Sequence, residues 1–479
     1  MSASQPAGAR PLPPLVFAQA SPRSLGGTSL FEAGPVTRET AADFASEPEL
    51  LRRTVAALAG AGFQVLNVSA QTVNIAGPPA LYEEYFQTRL RTEERPVLKP
   101  GQREDTATFV EAAGAELPGL IDPARSPAAE LLEGVAIERP VYPHVQAIPP
   151  ATGYWHLHLP GDVTLGLNAD RAHRAGWTGK GVRVAMVDSG WYRHPYFSDR
   201  GYQAGVVLGP GTTGADRDEN GHGTGESANL LAVAPDVDFT MVKTNFVNST
   251  GAFNAAVQLD PPPAVVSCSW GSDVPDGPLG AADQALAAAI SLAVANGVVV
   301  VFSAGNGHYG FPGQHPDVIS AGGVYLQPDG TLRASDYASG FASKLYPGRN
   351  VPDVCGLVGL RPQAIYLMLP IPPGSQIDTE LGGAGWPSKD ETASDDGWGA
   401  FSGTSAAAPQ VAGVCALLKQ AKPDLAPAAV RDLLGATARD VTQGSNHPRF
   451  NQQAGPGYDL ATGYGLVDAW ASVQRARST

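Results

Sequence analysis

A series of short, mostly apolar runs in the last two thirds of the chain places the strongest limit on the fold. These runs cover residues 182–187, 239–242, 265–269 and 298–302. Helical segments separate them, including an Ala/Leu-rich stretch over residues 281–295. Strands that are apolar on both faces must be covered on both, which favours a mostly parallel sheet between two helical layers. The sequence therefore predicts a three-layer α/β domain over residues 165–479.

A smaller domain is expected ahead of this one, because 479 residues are too many for one ordinary core. Residues 46–49 carry a capping-box pattern at the start of a helix. Two alternating runs, 63–68 and 72–75, then precede a second helix through residues 81–90. This pattern predicts a small α+β sandwich over residues 26–140.

The segments outside these two domains are Pro-rich. Residues 1–25 are expected to be a disordered tail, and Pro11, Pro13 and Pro14 interrupt the only candidate for a signal-peptide core. Without such a leader, a cytoplasmic location is expected rather than secretion. Residues 141–164 are predicted to be a linker between the domains.

Charge and cysteine content exclude several classes of function. The chain has 32 Lys and Arg against 46 Asp and Glu, a net charge of -14, which opposes nucleic acid or an anionic membrane as a partner. No apolar stretch has the length of a membrane span. Cys268, Cys355 and Cys415 lack the spacing of a zinc site or of a disulfide framework.

Three residues with reactive side chains lie at the end of a predicted strand or at the start of a predicted helix. Asp188 follows the run 182–187 and so lies at the carboxyl end of a predicted strand, where α/β sheets gather functional groups. His222 lies in a glycine-flanked turn ahead of a helical run. Ser405 lies near the amino end of another predicted helix, where backbone N–H groups converge.

Together these residue types suit nucleophilic catalysis. A serine hydroxyl is a weak nucleophile until an imidazole takes its proton, and the imidazole needs a carboxylate on its other nitrogen to fix its tautomer. Each residue alone also has an ordinary explanation, as a turn former, a surface histidine or a helix cap. The combination predicts Ser405 as nucleophile, His222 as general base and Asp188 as the residue that orients it.

The flanking residues carry a family resemblance. The segments VDSG (187–190), NGHGT (220–224) and GTSAAAP (403–409) resemble the three active-site signatures of subtilisin-like serine peptidases. A fourth segment, VFSAGN (301–306), is similar to the oxyanion-hole strand of that family. The resemblance implies a subtilisin-like fold. It also implies that the Asn306 side chain and the Ser405 backbone N–H donate to the oxyanion.

The resemblance also implies an activity and a role for the front domain. The chain would be a serine endopeptidase that hydrolyses polypeptides through an acyl-enzyme. Its N-terminal domain would be a propeptide that lies in the cleft until the enzyme cuts it away within the linker. The alternative is a permanent accessory domain that docks substrates.

Several features look closer to the sedolisins, which are acid-active relatives of the subtilisins. Residues 40–95 are similar to the sedolisin activation domain, and residues 265–271 are similar to the sedolisin cleft strand. The retained His222 and Asn306 still indicate subtilisin chemistry. Glu226 lies one helical turn after His222 and can approach the site, or it is a solvated helix carboxylate.

Substrate and metal contacts are implied by the same resemblances. Ser269, Trp270 and Gly271 would line the S1 side and pair with substrate as an added strand, although Trp270 could equally be core. An insertion over residues 357–398 could rim the cleft.

A calcium ion is expected in a loop near the C-terminus. The carboxylates of Asp440 and Asp459 and the carbonyls of Val441, Gly455 and Gly457 would surround it, a donor set that suits a hard cation. The alternative is a Gly/Asp turn that leads into the final helix.

Other functions stay open at this point. An esterase or a peptide ligase would use the same acyl-enzyme, although the serine motif is not the GxSxG elbow of α/β-hydrolases. A processing peptidase specific for one intracellular partner would cleave few other proteins. A non-catalytic binding protein on a peptidase fold would not need all of these residues.

Overall fold

A computed structural model describes residues 10–32, 34–99, 103–115, 117–143, 156–361, 367–384 and 389–478. Two domains are present in this part of the chain. The N-terminal domain contains β1 to β8 with α1 and α2, and the second domain contains the remaining elements. No helix in the described ranges is long and apolar enough to cross a bilayer.

The N-terminal domain is a five-stranded antiparallel sheet in the order β2-β3-β1-β7-β6, with two helices on one face. Phe63, Tyr82 and Phe86 fill the core between the sheet and the helices. Strands β4 and β5 form a separate long hairpin. The elements are β1 Val16–Pro22, α1 Pro48–Gly60, β2 Gln64–Val68, β3 Val73–Gly77, α2 Pro79–Phe86, β4 Leu90–Lys99, β5 Arg103–Ala112, β6 Leu120–Ile121, β7 Leu132–Ile137 and β8 Tyr142–Pro143.

The prediction that residues 1–25 form a disordered tail is wrong for residues 16–22. Val16–Pro22 forms β1, the middle strand of the sheet, and Ala18 and Ala20 are fully buried. Its polar residue Gln19 is also buried because it bonds Glu138 and Thr72. The capping box is not formed either, since among the described residues no side chain accepts a backbone N–H at the start of α1 and the hydroxyl of Ser46 donates to the carbonyl of Pro22.

The second domain is built on an eight-stranded sheet, in the order β11-β12-β10-β13-β15-β17-β18, with β21 also paired to β17. All of these strand pairs are parallel except β17 with β18. The strands are β9 Leu157–His158, β10 Arg183–Asp188, β11 Gly205–Leu208, β12 Asp238–Lys243, β13 Val265–Cys268, β14 Trp270–Asp273, β15 Val299–Ser303, β16 Gly310–Phe311, β17 Ile319–Leu326, β18 Leu332–Ala334, β19 Phe341–Ala342, β20 Asn350–Val351, β21 Val354–Val358, β22 Leu367–Pro370 and β23 Trp398–Phe401.

Helices cover this sheet on both faces, as the apolar strands require. One face packs on α6 and α10 and the other on α7 and α8, and each face has its own apolar cluster. Valine-rich strands suit this double burial, since β-branched side chains lose little freedom in a strand. The helices are α3 Gly161–Gly166, α4 Ala169–Arg174, α5 Pro195–Ser198, α6 His222–Val233, α7 Ser249–Val257, α8 Ala281–Ala295, α9 Gln376–Leu381, α10 Thr404–Ala421, α11 Pro427–Thr437 and α12 Ala469–Ser478.

The predicted linker over residues 141–164 is structured at both of its ends. Strand β8 pairs with β14 of the second domain, and β9 pairs with β22. Helix α3 already belongs to the second domain, because Val163 lies in its larger apolar cluster. The centre of the linker, residues 144–155, lies outside the described residues.

The two domains share a buried face on α7 and α8. Leu30, Phe31 and Phe44 of the N-terminal domain belong to the same apolar cluster as these helices. Asn74 on β3 and Asn248, which precedes α7, exchange two side-chain hydrogen bonds of 2.8 and 3.0 Å. The N-terminal domain is therefore fixed to the second domain by apolar burial and by directional polar contacts.

Candidate active site

Asp188 ends β10, at the carboxyl edge of the parallel sheet. Its neighbouring strands, β12 and β13, run in the same direction, so the loops that follow all three meet at this edge. The Asp188 carboxylate is fully buried, and its Oδ1 accepts the backbone N–H of Ser189 at 2.7 Å. The side chain is therefore held in one orientation from its own strand end.

His222 is the first residue of α6. Asp218 caps the helix, since its Oδ2 accepts both the backbone N–H and the hydroxyl of Thr224 at 2.9 and 2.7 Å. Gly223 lets the helix approach β10 closely, because a Cβ there would lie 2.5 Å from the carbonyl oxygen of Gly190. Asp218 was not predicted as a residue of this site, although an Asp ahead of a Gly-rich helix start is a usual capping signal.

His222 and Asp188 form a direct hydrogen bond. The Nδ1 atom of His222 lies 2.7 Å from Asp188 Oδ1, so Nδ1 carries the proton in the neutral ring and Nε2 is left as the base. Burial alone disfavours the imidazolium, but the carboxylates of Asp188, Glu226 and Asp218 outweigh it and raise the pKa of His222 to about 9. The imidazole is thus a strengthened base in this structure.

Ser405 is the second residue of α10 and is fully buried. Its Oγ donates to the carbonyl of Ser269 at 3.1 Å, while the Ser269 hydroxyl donates to the carbonyl of Ser405 at 2.8 Å. His222 Nε2 makes no hydrogen bond within the described ranges. The serine must therefore rotate away from Ser269 before its proton can pass to Nε2.

Asn306 follows β15 and lies beside the start of α10. Its Oδ1 accepts the backbone N–H of Thr404 at 3.0 Å and the Thr404 hydroxyl at 3.2 Å. This fixes the side-chain amide with Nδ2 at its opposite end, the end that the predicted role as an oxyanion donor needs. The residue is 1% exposed, so a hydrogen bond made there would be shielded from water.

The predicted substrate-binding segment divides between two roles. Trp270 does not line a pocket, because its side chain is fully buried, donates to the carbonyl of Val187 at 2.8 Å and packs edge-on against Phe302. Its backbone, with that of Gly271, instead belongs to β14, the middle strand of a three-stranded sheet in the order β16-β14-β8. Tyr142 and Pro143 of β8 pair antiparallel with Trp270 and Gly271.

Glu226 is not the solvated carboxylate of the alternative interpretation. It is fully buried on α6, and its Oε1 lies 3.8 Å from His222 Nε2. Its Oε2 accepts from Asn229 at 3.0 Å. A polar residue on a helix usually faces water, but the insertion over residues 357–398 supplies β22 and β23, which cover this side of α6.

The predicted calcium ligands lie close together, but their carboxylates already have donors. Asp459 Oδ2 accepts the N–H of Gly455 at 2.8 Å, and Asp440 Oδ2 accepts the N–H of Gly457 at 3.0 Å. Asp459 Oδ1 accepts two further backbone N–H groups. Val441 is buried beside them. The oxygen donors suit a hard cation, but an ion there would compete with these amides. Among the described residues, no cluster of three or more His, Cys, Asp or Glu could hold a metal.

Comparison with known proteins gives one family. The model of the subtilase family matches residues 179–465, which is more than half of the chain. Alkaline elastase YaB of Bacillus sp. (strain YaB) is 28% identical over 333 residues, covering 65% of this chain and 70% of that protein. Subtilisin Savinase of Lederbergia lenta and subtilisin E of Bacillus subtilis (strain 168) are also 28% identical. Each covers 57% of this chain, and the matches span 90% and 64% of those proteins.

A solved structure extends the likeness to the N-terminal domain. Fervidolysin from Fervidobacterium pennivorans, described as a keratinolytic enzyme related to subtilisin, covers 98% of this chain with a TM-score of 0.58 and 18% identity. This chain spans 62% of that structure. The likeness concerns the fold. The sedolisin-like features of residues 40–95 and of the C-terminal loop stay a prediction.

Proposed function

This chain belongs to the subtilase family, and from that premise we propose that it is a serine endopeptidase that cleaves polypeptides through an acyl-enzyme on Ser405. The observation that supports this best is the 2.7 Å bond between Asp188 and His222, together with the hydrogen bonds of Ser405 to Ser269, which follows the neighbouring strand β13. A buried carboxylate on Nδ1 serves a histidine that works as a base through Nε2.

The reaction follows from these positions. The Oγ of Ser405 forms a bond to the scissile carbonyl carbon, and its proton passes to His222 Nε2. The imidazolium, stabilised by Asp188, then protonates the leaving amine as the C–N bond breaks. Water repeats the sequence on the ester and frees Ser405. The Asn306 amide and the Ser405 backbone N–H donate to the oxygen that becomes negative in each tetrahedral intermediate.

We also propose that the chain is a zymogen whose N-terminal domain covers the cleft. A substrate would add as a strand to the backbone of Trp270 and Gly271, and Tyr142 and Pro143 already occupy that position. The hairpin of β4 and β5 reaches the same side, since the Leu98 carbonyl lies 3.1 Å from Nε2 of His308. Activation would then need a cut within the predicted linker.

Calcium at the C-terminal loop is the third part of the proposal. Calcium binding is common among subtilases, and the loop offers two carboxylates and three backbone carbonyls. An ion would have to replace the amide hydrogen bonds that Asp440 and Asp459 accept. We therefore expect a small net effect of calcium on the stability of the folded chain.

The test of the activity is covalent labelling. A fluorophosphonate should modify wild-type protein at Ser405 and leave Ser405→Ala unlabelled, with thermal unfolding used to check that the variant is folded. Equal labelling of a folded Ser405→Ala chain would refute the nucleophile.

The test of the zymogen is mass spectrometry of the same two proteins during incubation. The wild type should acquire a cut between residues 141 and 164 and gain labelling rate with it, while Ser405→Ala should stay whole. A full-length wild-type chain that labels as fast as the cut form would refute the covering role.

A further inference from the structure

His222 has a second carboxyl group as a close neighbour. Glu226 lies one turn further along α6, so both side chains project from the same face of the helix. Glu226 Oε1 and His222 Nε2 are 3.8 Å apart, and neither atom makes a hydrogen bond among the described residues. Both side chains are fully buried. An unpaired carboxylate oxygen in such a place is costly, so its position needs a reason.

A chain of side-chain amides holds Glu226 in this orientation. Its Oε2 accepts from Asn229, whose own Oδ1 accepts from Gln410 at 3.0 Å. Gln410 lies on α10 and also bonds the backbone N–H and C=O of Leu357 on β21. Glu226 is thereby tied to the helix that carries Ser405. The other carboxylate oxygen, Oε1, is the one turned to His222.

The surrounding elements bring few other charges to this pair. Asp188 on β10 contacts His222 Nδ1, and Asp218, in the loop ahead of α6, is the other carboxylate that acts on His222. Glu226 itself is acted on by His222 and Asp188. The contacts that the described parts of α10, β22 and β23 make here are the amide of Gln410 and apolar groups such as Leu369 and Phe401.

We propose that Glu226 is a positioning residue that acts on His222 from the Nε2 side, so that its carboxylate stabilises the imidazolium and moves the acid limb of the pH–rate profile to higher pH. This inference rests on the proposed function of His222 as the general base. It assigns a role to a residue outside the Ser405–His222–Asp188 triad.

The sign follows from which form of His222 is active. Only the neutral imidazole can take the proton of Ser405, and each nearby carboxylate favours the charged form instead. The raised pKa of His222, about 9, therefore places the rise of activity above neutral pH. Burial raises the pKa of Glu226 and the neighbouring His222 lowers it, so the imidazolium and the Glu226 carboxylate favour each other. A neutral residue at position 226 should let His222 lose its proton at lower pH.

The decisive measurement is the titration of His222 by NMR in the full-length Ser405→Ala chain, which cannot digest itself. The His222 signals are assigned by their loss in His222→Gln. In the background with Glu226, we expect the imidazolium to persist above the ordinary histidine range. Glu226→Gln, which keeps the acceptor for Asn229, should lower the midpoint by about 1–3 pH units.

Two further variants make the result specific. Glu380→Gln removes the same charge from an exposed position on α9 and should leave the midpoint unchanged. Glu226→Met, which has no polar side-chain atom but leaves the Asn229 amide without its acceptor, is the second variant in case the glutamine chain does not fold. A midpoint in either folded position-226 variant that equals the wild-type value would overturn the proposal, and so would a His222 that titrates at or below its ordinary pKa in the chain with Glu226.

The catalytic readout is the pH profile of kcat/KM for the active form of Glu226→Gln. Its acid limb should move to lower pH by the same amount as the NMR midpoint, an effect that a purely structural role would not produce. An unmoved acid limb in an active enzyme counts against the proposal. Absence of activity at every pH in the wild type, with the NMR shift intact, would instead refute the proposed function and leave the coupling between Glu226 and His222 established.

Discussion

The active site and the face between the two domains are both buried and polar, but they differ in how fully their polar atoms are paired. Across the domain face, Asn74 and Asn248 use both ends of their side-chain amides on each other. In the active site, Asp188 Oδ2, His222 Nε2 and Glu226 Oε1 have no hydrogen-bond partner among the described residues. Complete pairing of polar atoms suits a surface whose role is to hold the two domains together.

Unpaired atoms suit a site that has to react. A buried acceptor without a donor costs on the order of 1–3 kcal/mol, so a fold keeps one only where something else depends on it. The salt bridge between Arg139 and Asp283 is a partial exception on the domain face, because Arg139 Nε and Asp283 Oδ2 also have no hydrogen-bond partner in the described part of the chain. The domain face is therefore strong but not perfectly satisfied, which is compatible with later release.

We expect the largest effect from breaking the hydrogen bond between Asp188 and His222 in the active site. Asp188→Asn removes the charge that stabilises the imidazolium, and an amide that turned its NH2 group toward Nδ1 of His222 would also force the wrong tautomer. We expect kcat/KM to fall about 10⁴-fold while the chain stays folded. Steady-state kinetics on the active form measures this. A loss below tenfold would mean that Asp188 does not orient His222.

The next effect separates the two ends of Asn306. Asn306→Asp keeps an acceptor for Thr404 but has no side-chain donor, whereas Asn306→Ala loses both. We expect kcat to fall about 10²–10³-fold in each variant with little change in KM, because the donor acts on the transition state. Only the alanine variant should also unfold at lower temperature. Unchanged kcat in Asn306→Asp would remove Asn306 from the oxyanion site.

The third prediction concerns the face between the two domains. Asn74→Ala leaves Asn248 buried without its partner, which costs about 1–3 kcal/mol of domain docking. In a full-length chain that has not yet been cut, fluorophosphonate labelling of Ser405 should then be faster by roughly 5- to 150-fold.

A matched control lies on the same face. Gln258→Ala removes an exposed hydrogen bond to the carbonyl of Val68 and should change labelling little. If Asn74→Ala labels no faster than Gln258→Ala, the domain face does not limit access to Ser405.

The sequence could predict burial that shows in a segment's own composition, but not burial that depends on distant partners. The apolar runs predicted the central sheet because strands buried on both faces show it in their composition, and the ends of these strands then located Asp188. Strand β1 was missed because its neighbours are prolines and because Gln19 and Ser21 resemble surface residues. Both are buried beside partners that are distant in the chain, Glu138 for Gln19 and Glu133 for Ser21.

The sequence left the positions of Glu226 and Trp270 open for a related reason. Local pattern places a carboxylate on a helix in water and a tryptophan in a cleft strand near substrate. The layer formed by β22 and β23 covers the first, and Phe302 with the carbonyl of Val187 encloses the second. Burial of a single side chain depends on which distant segment covers it, and that information is absent from a local motif.

The smallest expected effect concerns the C-terminal loop, where pairing is as complete as on the domain face. Asp459 caps the loop through Gly455, Ala461 and Thr462, so Asp459→Asn should lower the unfolding temperature with or without calcium. Asp440 accepts one amide and should matter mainly for an ion. We expect calcium to raise the unfolding temperature of the wild type by a few degrees and to have no effect on Asp440→Asn. Equal responses of the wild type and Asp440→Asn to calcium and to chelator would place any ion elsewhere and leave this loop a self-paired turn.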